Sequence, residues 1–388
     1  MDVHPNVGQV LWIRVGALGD LLISTAALAA TFQRFPDSKI WVLGDRFWLE
    51  LLEPARWPRL NGIIIRKKGA RGQLYVPSGA KTWKREGEEK RLSYFYRRSQ
   101  ATVNLRIESY RFAWGPGLAR VKIRIGSCPW PMKWLYTHWS PWLGKEPMIH
   151  ERDWYEMVAQ APKRSFFPLG TTEANRNKYA TFNERPVRGL PRLKEPNWQT
   201  IVKLSEEHPE LPPARYQNYW LINPTASRKE KAWPAAKFRE LCQRLKPRLE
   251  ALGKSLVIVG APNETDWLSQ VGGNEFQVIQ PPSLGELIDV VAGANVLITN
   301  TSSVQFIAAG TGTPSVTLMG RSQPIRWGPV GLQDVVVQGK IPSPPLADLF
   351  EEERLSYASI EVDEVLQVLE VFEKVSKKNS SVEKVYTP

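Results

Sequence analysis

Residues 9–43 read QVLWIRVGALGDLLISTAALAATFQRFPDSKIWVL, and the fold follows from them. Gln9–Val15 is a short apolar run of strand length, of the kind buried in a parallel sheet. Gly16-Ala17-Leu18-Gly19-Asp20 then turns the chain into a helix, expected over Leu21–Phe35 from apolar residues at helical spacing. Pro36-Asp37 ends that helix, and Lys39–Leu43 is a second strand. Strand, helix and strand in this order predict parallel pairing with a right-handed crossover.

Outward from this unit the α/β pattern continues. Ile63–Arg66 is a third strand candidate. Residues 67–98 are polar, basic and Gly-interrupted, which predicts a loop or an exposed hairpin. Ala101–Ile107 is another short apolar run, and Val121–Ile125 (VKIRI) alternates like an edge strand. Residues 163–215 are rich in Pro, Asn, Arg and Glu and read as a connection, with one helix near 198–206. A second α/β unit opens at Tyr219–Asn223. A helix follows over Ala235–Leu252, with Pro247 an obstacle. Ser255–Val259 is a strand, Leu284–Ala292 a helix, Val296–Thr299 a strand, Val304–Ala309 a helix and Ser315–Leu318 a strand. A helix near Val362–Val375 precedes a polar tail expected to fray. The fold class is therefore α/β with two Rossmann-like domains. They divide as 1–185, with a basic, Trp-rich insert, and 186–388, with the polar tail.

The length of 388 residues suits two such domains, and 42 % hydrophobic residues suffice for their cores. Cys128 and Cys242 define no disulfide framework or zinc spacing, which fits a reducing compartment. His4, His138, His150 and His208 show no metal-ligand spacing. The start lacks a basic segment followed by a long apolar one, and no apolar stretch is long enough to span a bilayer. These features predict a cytoplasmic protein. The net charge is +13, and residues 51–150 hold 20 Lys and Arg against 6 Asp and Glu, which accounts for the excess. Such a basic segment suits an anionic partner, or is simply a solvated face.

Four loops carry possible chemistry. The first is Arg14 to Asp20, where Gly16 and Gly19 permit close approach of a substrate. Asp20 is there either a reactive carboxylate or a helix N-cap. The spacing is not Gly-x-Gly-x-x-Gly, so a nicotinamide dehydrogenase is poorly supported. The second loop is Asn223-Pro224-Thr225-Ala226-Ser227-Arg228-Lys229-Glu230-Lys231, between a strand and a helix. Its hydroxyls and Lys231 can hold a diphosphate. It also reads as a basic surface loop with Pro234 in the first helical turn. The third, Gly260 to Glu264, places a carboxylate beyond a strand end where it can bond ribose hydroxyls, or lie free on the surface. The fourth is Thr299-Asn300-Thr301-Ser302-Ser303, a hydroxyl-rich opening to a helix. It is an anion site or an ordinary cap.

In combination these stretches resemble the bacterial heptosyltransferases of lipopolysaccharide core synthesis, glycosyltransferase family 9. The resemblance rests on IRVGALGDLLISTAALAATFQRFPDSKIWVL, RIGS, HERDWYEMVA, NPTASRKEKAWPAAKFREL, VIVGAPNE and ANVLITNTSSVQFIAAGTGTPSVTLMGRSQPIRWGP. It implies the B-type glycosyltransferase fold, with two domains facing across a cleft, the acceptor on the first and the nucleotide sugar on the second. It also implies inverting, metal-independent transfer with no cofactor beyond the co-substrate, ADP-heptose or a related donor. Asp20 matches the family's general base, with Arg14, Gly16 and Gly19 forming the acceptor-side loop. Thr225, Ser227, Lys231, Glu264, Ser302 and Ser303 fall at donor-binding positions.

One loop departs from the family. Where relatives read Asp-[Thr/Ser]-Gly-Pro-x-His, this chain has Thr301, Ser302, Ser303, Val304, Gln305 and Phe306. A phenylalanine cannot bond phosphate or hydroxyls, so a weakened paralogue that binds a glycan or partner is the competing expectation. Separately, Trp114, Trp130, Trp134, Trp139 and Trp142 are interleaved with Arg111, Arg120, Lys122, Arg124, Lys133 and Lys145. Tryptophan among basic residues suits an anionic membrane surface on the cytoplasmic face of the inner membrane, which a glycolipid acceptor requires. A core aromatic layer is the alternative. No nucleic-acid recognition module is visible, and none is expected as partner.

Overall fold

The computed structural model describes residues 3–52, 57–68, 70–78, 82–105, 110–127, 132–140, 150–161, 163, 189–191, 193, 197–205, 218–331 and 333–383. The expected domain boundary at 185/186, and Cys128, Trp130, Trp142, Lys145 and His208, lie outside them. The chain forms two compact units, Met1–Leu193 and Lys194–Pro388.

In the first unit, β1 (Gln9–Arg14) leads into α1 (Leu18–Arg34), β2 (Lys39–Gly44), the short α2 (Trp48–Leu51) and β3 (Leu60–Lys67). A hairpin, β4 (Arg71–Ser78) and β5 (Thr82–Arg91), is followed by α3 (Leu92–Arg98), β6 (Ala101–Asn104), α4 (Tyr110–Leu118), β7 (Ile123–Ser127), β8 (His138–Ser140) and α5 (Glu151–Ala159). The sheet order is β5-β4-β3-β2-β1-β6-β7-β8. Every pair from β3 to β8 is parallel, and only the added hairpin is antiparallel.

β1 is buried because both faces are covered. Leu11, Ile13, Leu43 and Ile64 meet Leu92, Phe95, Tyr96 and Phe112 of α3 and α4. On the other face Trp12 meets Trp48 edge-on at 5.4 Å. Four expectations need correction. The Val121–Ile125 run is no edge: β7 pairs β6 and β8, because the next three-residue strand adds beyond it. The hairpin alternative for 67–98 is found, but the segment continues into a helix whose Leu92, Phe95 and Tyr96 are buried in the core. Helix α1 starts at Leu18, earlier than expected, because extended Ala17 is its N-cap (φ −66°, ψ 156°). The C-terminal helix outlasts Val375, as described below.

In the second unit, α6 (Trp198–Ser205) precedes β9 (Tyr219–Asn223), α7 (Ala235–Glu250), β10 (Ser255–Val259), α8 (Thr265–Gly272), β11 (Gln277–Ile279), α9 (Leu284–Ala292), β12 (Val296–Asn300) and α10 (Ser303–Thr311). Then come β13 (Ser315–Met319), α11 (Pro324–Trp327), β14 (Asp334–Gln338), α12 (Leu349–Ala358) and α13 (Val362–Glu383). The sheet is parallel throughout, in the order β11-β10-β9-β12-β13-β14. This is the doubly wound arrangement, whose order reverses between β9 and β12. The parallel part of the first sheet repeats it, with the reversal between β1 and β6. Pro247 lies in the last turn of α7, which tolerates it. The backbone of α13 remains helical to Glu383, and its Val365, Leu366 and Leu369 sit in the core with Trp220, Phe238 and Leu241.

Candidate functional site

Loops that leave the C-terminal ends of parallel strands at a reversal point form the usual ligand crevice of an open α/β sheet. Each unit has one.

In the first unit the loop after β1 is fixed from three sides. The Gly16 N–H donates to Asp45 Oδ2 at 2.7 Å. Gly16 holds φ 155°, a backbone state suited to glycine. The Trp48 indole N–H donates to the Arg14 carbonyl at 3.0 Å. Arg14 is buried and runs under the loop, donating to the Tyr155 hydroxyl at 2.6 Å with its guanidinium over that ring. The same nitrogen, Nη2, lies 3.4 Å from the Asp20 carboxylate. Asp20 is the third residue of α1 and does not cap it, so the N-cap alternative is set aside. Its side chain keeps 26 % exposure, the helix N-terminus favours its charge, and Arg14 holds it in place. Gly19 precedes it as the second residue of α1.

The second crevice is built on two asparagines at strand ends. Asn223 closes β9; its amide donates to Thr225 Oγ1 at 3.1 Å and to the Val259 carbonyl at 3.0 Å. Its oxygen accepts from Thr299 Oγ1 at 3.1 Å and Ser302 Oγ at 3.4 Å. Asn300 closes β12; it donates to the Pro224 carbonyl at 2.8 Å and accepts from the Trp233 N–H at 2.9 Å. The loops after β9, β10 and β12 are thereby tied together. Both asparagines were missed in the sequence, although two strands of one sheet each ending in Asn is a legible signal.

This network places the expected donor residues as follows. Thr225 is buried and engaged with Asn223, while Ser227 is exposed and Lys231 half-buried in the short turn before α7. Ser302 caps α10, accepting from the Val304 N–H at 3.2 Å, and Ser303 begins that helix. The cap reading of this loop is therefore realised. Glu264 turns one oxygen back onto the Ala261 N–H at 2.8 Å, closing its own turn, with the other carboxylate oxygen at the rim. Thr301 donates through Oγ1 to the Leu318 carbonyl at 3.2 Å. Phe306 is buried, and Gln305 donates to the Trp327 carbonyl at 2.8 Å. Among the described residues no group of three or more His, Cys, Asp or Glu gathers as a metal site would.

Residues 176–354 match the model of glycosyltransferase family 9 (heptosyltransferase). This part of the chain is similar to that family. No curated protein matches the chain. Among solved structures it is similar to E. coli ADP-heptose LPS heptosyltransferase II, with TM-score 0.68, 18 % identity, and 95 % of this chain covering 99 % of that one. It is also similar to a family 9 glycosyl transferase of Veillonella parvula, with TM-score 0.64, 18 % identity, and 94 % covering 97 %. E. coli heptosyltransferase WaaC, solved with ADP, gives TM-score 0.58, 15 % identity, and 94 % of this chain covering 99 % of that one. These likenesses show the fold, two Rossmann-like units of the B-type glycosyltransferase class. The matched segment contains the whole of the second crevice as far as α12.

The basic first unit has a second feature. Trp114 and Leu118 of α4 are 52 % and 79 % exposed, and Trp134, on a turn in contact with α4, is 50 % exposed. Arg120 and Lys122 beside them are exposed as well. Arg124 is not available to a ligand in the same way, since it donates to the Leu135 and Val121 carbonyls. Trp139 is partly buried against Ala113 and Tyr136. Among the described residues no helix is long and apolar enough to cross a membrane.

Proposed function

We propose that this chain transfers heptose, or a related sugar, from an ADP-sugar to a phosphorylated lipopolysaccharide core acceptor. The observation that carries the reading is the tied crevice around Asn223 and Asn300, with Thr225, Ser227, Lys231, Ser302 and Ser303 on its loops. Hydroxyls, helix N–H groups and a lysine are the donors that a nucleotide diphosphate requires. Glu264, at its rim, suits the ribose hydroxyls.

The chemistry asks one residue to take a proton and others to take charge. Asp20 accepts the proton of the acceptor hydroxyl as that oxygen attacks the anomeric carbon. The bond from that carbon to the diphosphate oxygen breaks, and ADP leaves with the electron pair. Attack opposite the leaving group inverts the anomeric centre. Lys231 and the N–H groups of α10 stabilise the departing diphosphate, so the step needs no metal ion or other cofactor. The exposed Trp114, Leu118 and Trp134 with Arg120 and Lys122 support contact with an anionic membrane surface, where a lipid-linked acceptor is presented. That contact would be peripheral, from the cytoplasmic side of the inner membrane.

Turnover of ADP-heptose with lipid acceptor tests the reading. Asp20→Ala should lower the rate by about 10²–10⁴-fold while leaving ADP affinity and thermal stability intact. Unchanged transfer in that variant removes Asp20 from the mechanism. Binding of ADP-heptose without any transfer by the wild-type chain would favour a weakened paralogue, the reading that Thr301 and Phe306 support.

A further inference from the structure

Helix α12 lies against the turn that carries Lys231. Phe350, in its first turn, sits under the Arg228 guanidinium at 5.2 Å, and Arg228 pairs with Glu230 at 3.3 Å. Glu352 accepts from Arg321 Nε at 2.7 Å and from the Leu346 N–H at 2.8 Å. Lys231 and Glu353 take part in none of these pairings.

Glu353 is 5 % exposed, and its Oε1 is buried without a hydrogen-bond partner. A Cβ on Gly320 would stand 2.9 Å from that oxygen, so the carboxyl occupies space that only a glycine at the end of β13 leaves open. Lys231 is the cation that acts on it most strongly, ahead of Arg321 and Arg228, yet the two form no direct ion pair. One turn along α12, the Tyr357 hydroxyl accepts from the Thr301 N–H at 3.4 Å. Glu353 therefore borders both the lysine turn and the loop opening α10. A buried carboxyl oxygen without a donor is costly to keep, and such a group calls for a hydrogen-bond partner.

We propose that Glu353 is a specificity-determining residue of the donor site, its carboxylate accepting hydroxyls of the sugar being transferred. The inference rests on the donor reading of the Lys231 loop. In the free chain the charge of Lys231 offsets Glu353 from a distance. A bound diphosphate draws Lys231 to itself, and the carboxylate then needs new donors. A nucleotide sugar brings them as hydroxyls, whereas the nucleotide alone does not. The same residue thus favours donor over product and disfavours retention of the nucleotide after transfer.

Calorimetric titration of the full chain with ADP and with ADP-heptose tests this. The wild-type chain should bind ADP-heptose more tightly than ADP. Glu353→Gln, close in shape and neutral, should weaken ADP-heptose by about tenfold or more, the loss expected for hydrogen bonds to a charged group. Its ADP affinity should be unchanged or higher, and its Tm should not fall. Glu353→Ala should lose the same preference. Equal weakening of both ligands would make Glu353 a positioning residue for Lys231, and no change in either would leave it without a role; both overturn the proposal. So does a lowered Tm in both variants, which marks a structural group. A wild-type chain that binds neither ligand overturns the donor reading itself, and the role of Glu353 with it.

Discussion

Asp20 and Glu353 are both carboxylates near cations, and their surroundings divide them. Asp20 is partly exposed, in the first turn of a helix, with Arg14 touching it. Glu353 is enclosed, and burial raises its carboxyl above the ordinary glutamate value of 4.5, against the lowering effect of Lys231, Arg321 and Arg228. Glu230 raises it further. The folded chain therefore holds this proton more tightly than the unfolded chain. Stability is greatest from this group at low pH and declines as pH rises from 4.5 through the higher folded value. Thermal melts of Glu353→Gln against wild type should show the variant gaining relative stability across that rise, and a constant difference at all pH would contradict it. Beside it, burial pushes the Tyr357 hydroxyl up to about 12, so it remains a neutral partner for Thr301. None of this was legible from the sequence, where Glu353 is one of three consecutive glutamates in a polar stretch. Asp20 was legible, because a glycine turn between a strand and a helix has a recognisable spacing.

At the level of elements, the loop after β1 depends on the junction of β2 and α2. A Cβ on Gly44 would lie 2.3 Å from the Trp48 ring and 2.4 Å from the Arg14 carbonyl, the groups that bond each other there. Gly44→Ala should therefore cost about 1–3 kcal/mol, as overpacking of a closed core does, and it should lower turnover through displacement of Arg14. Thermal denaturation with a parallel activity assay checks both, and a variant with unaltered Tm would show that Trp48 can move aside at no cost. A second prediction concerns α7 and its partners. Trp233 is fully buried, stacked edge-on to Phe238 at 4.9 Å, and its indole N–H donates to the Ile360 carbonyl at 3.0 Å. Trp233→Ala should destabilise the second unit by about 3–5 kcal/mol, measured as a shift in the denaturant midpoint. The central strands β1, β2, β9, β10, β12 and β13 and the long helices α1 and α7 were readable because periodicity reports burial directly. The buried helix that follows the hairpin, the inner place of β7 and the length of α13 were not, because a neighbour distant in sequence decides them.

Across the whole molecule, charge and apolar exposure are unevenly placed. The basic excess lies in residues 51–150, and part of it is neutralised locally, as where Lys67 and Arg71 meet Glu89. Arg120 and Lys122 stay exposed next to Trp114 and Leu118. Sedimentation with vesicles should show binding to phosphatidylglycerol bilayers that weakens as salt rises, and little binding to neutral phosphatidylcholine. Replacing Trp114 and Leu118 with serine should reduce binding even at low salt. Salt-independent binding, or none to either vesicle, would assign these residues another role.

By itself the sequence determined the class of fold, the number of units and the residues on each strand-to-helix loop. Those features are local: hydrophobic period sets strand or helix, and glycine, proline and hydroxyl residues mark where one gives way to the other. Only the tertiary structure decided that two strand-end asparagines lash three loops together. It alone decided that Arg14 spans from Tyr155 to Asp20, and that a glutamate far along the chain lies buried without a donor beside the lysine turn. Those facts depend on groups separated by tens of residues arriving at one point, and no short-range pattern encodes which of many similar side chains will be enclosed together.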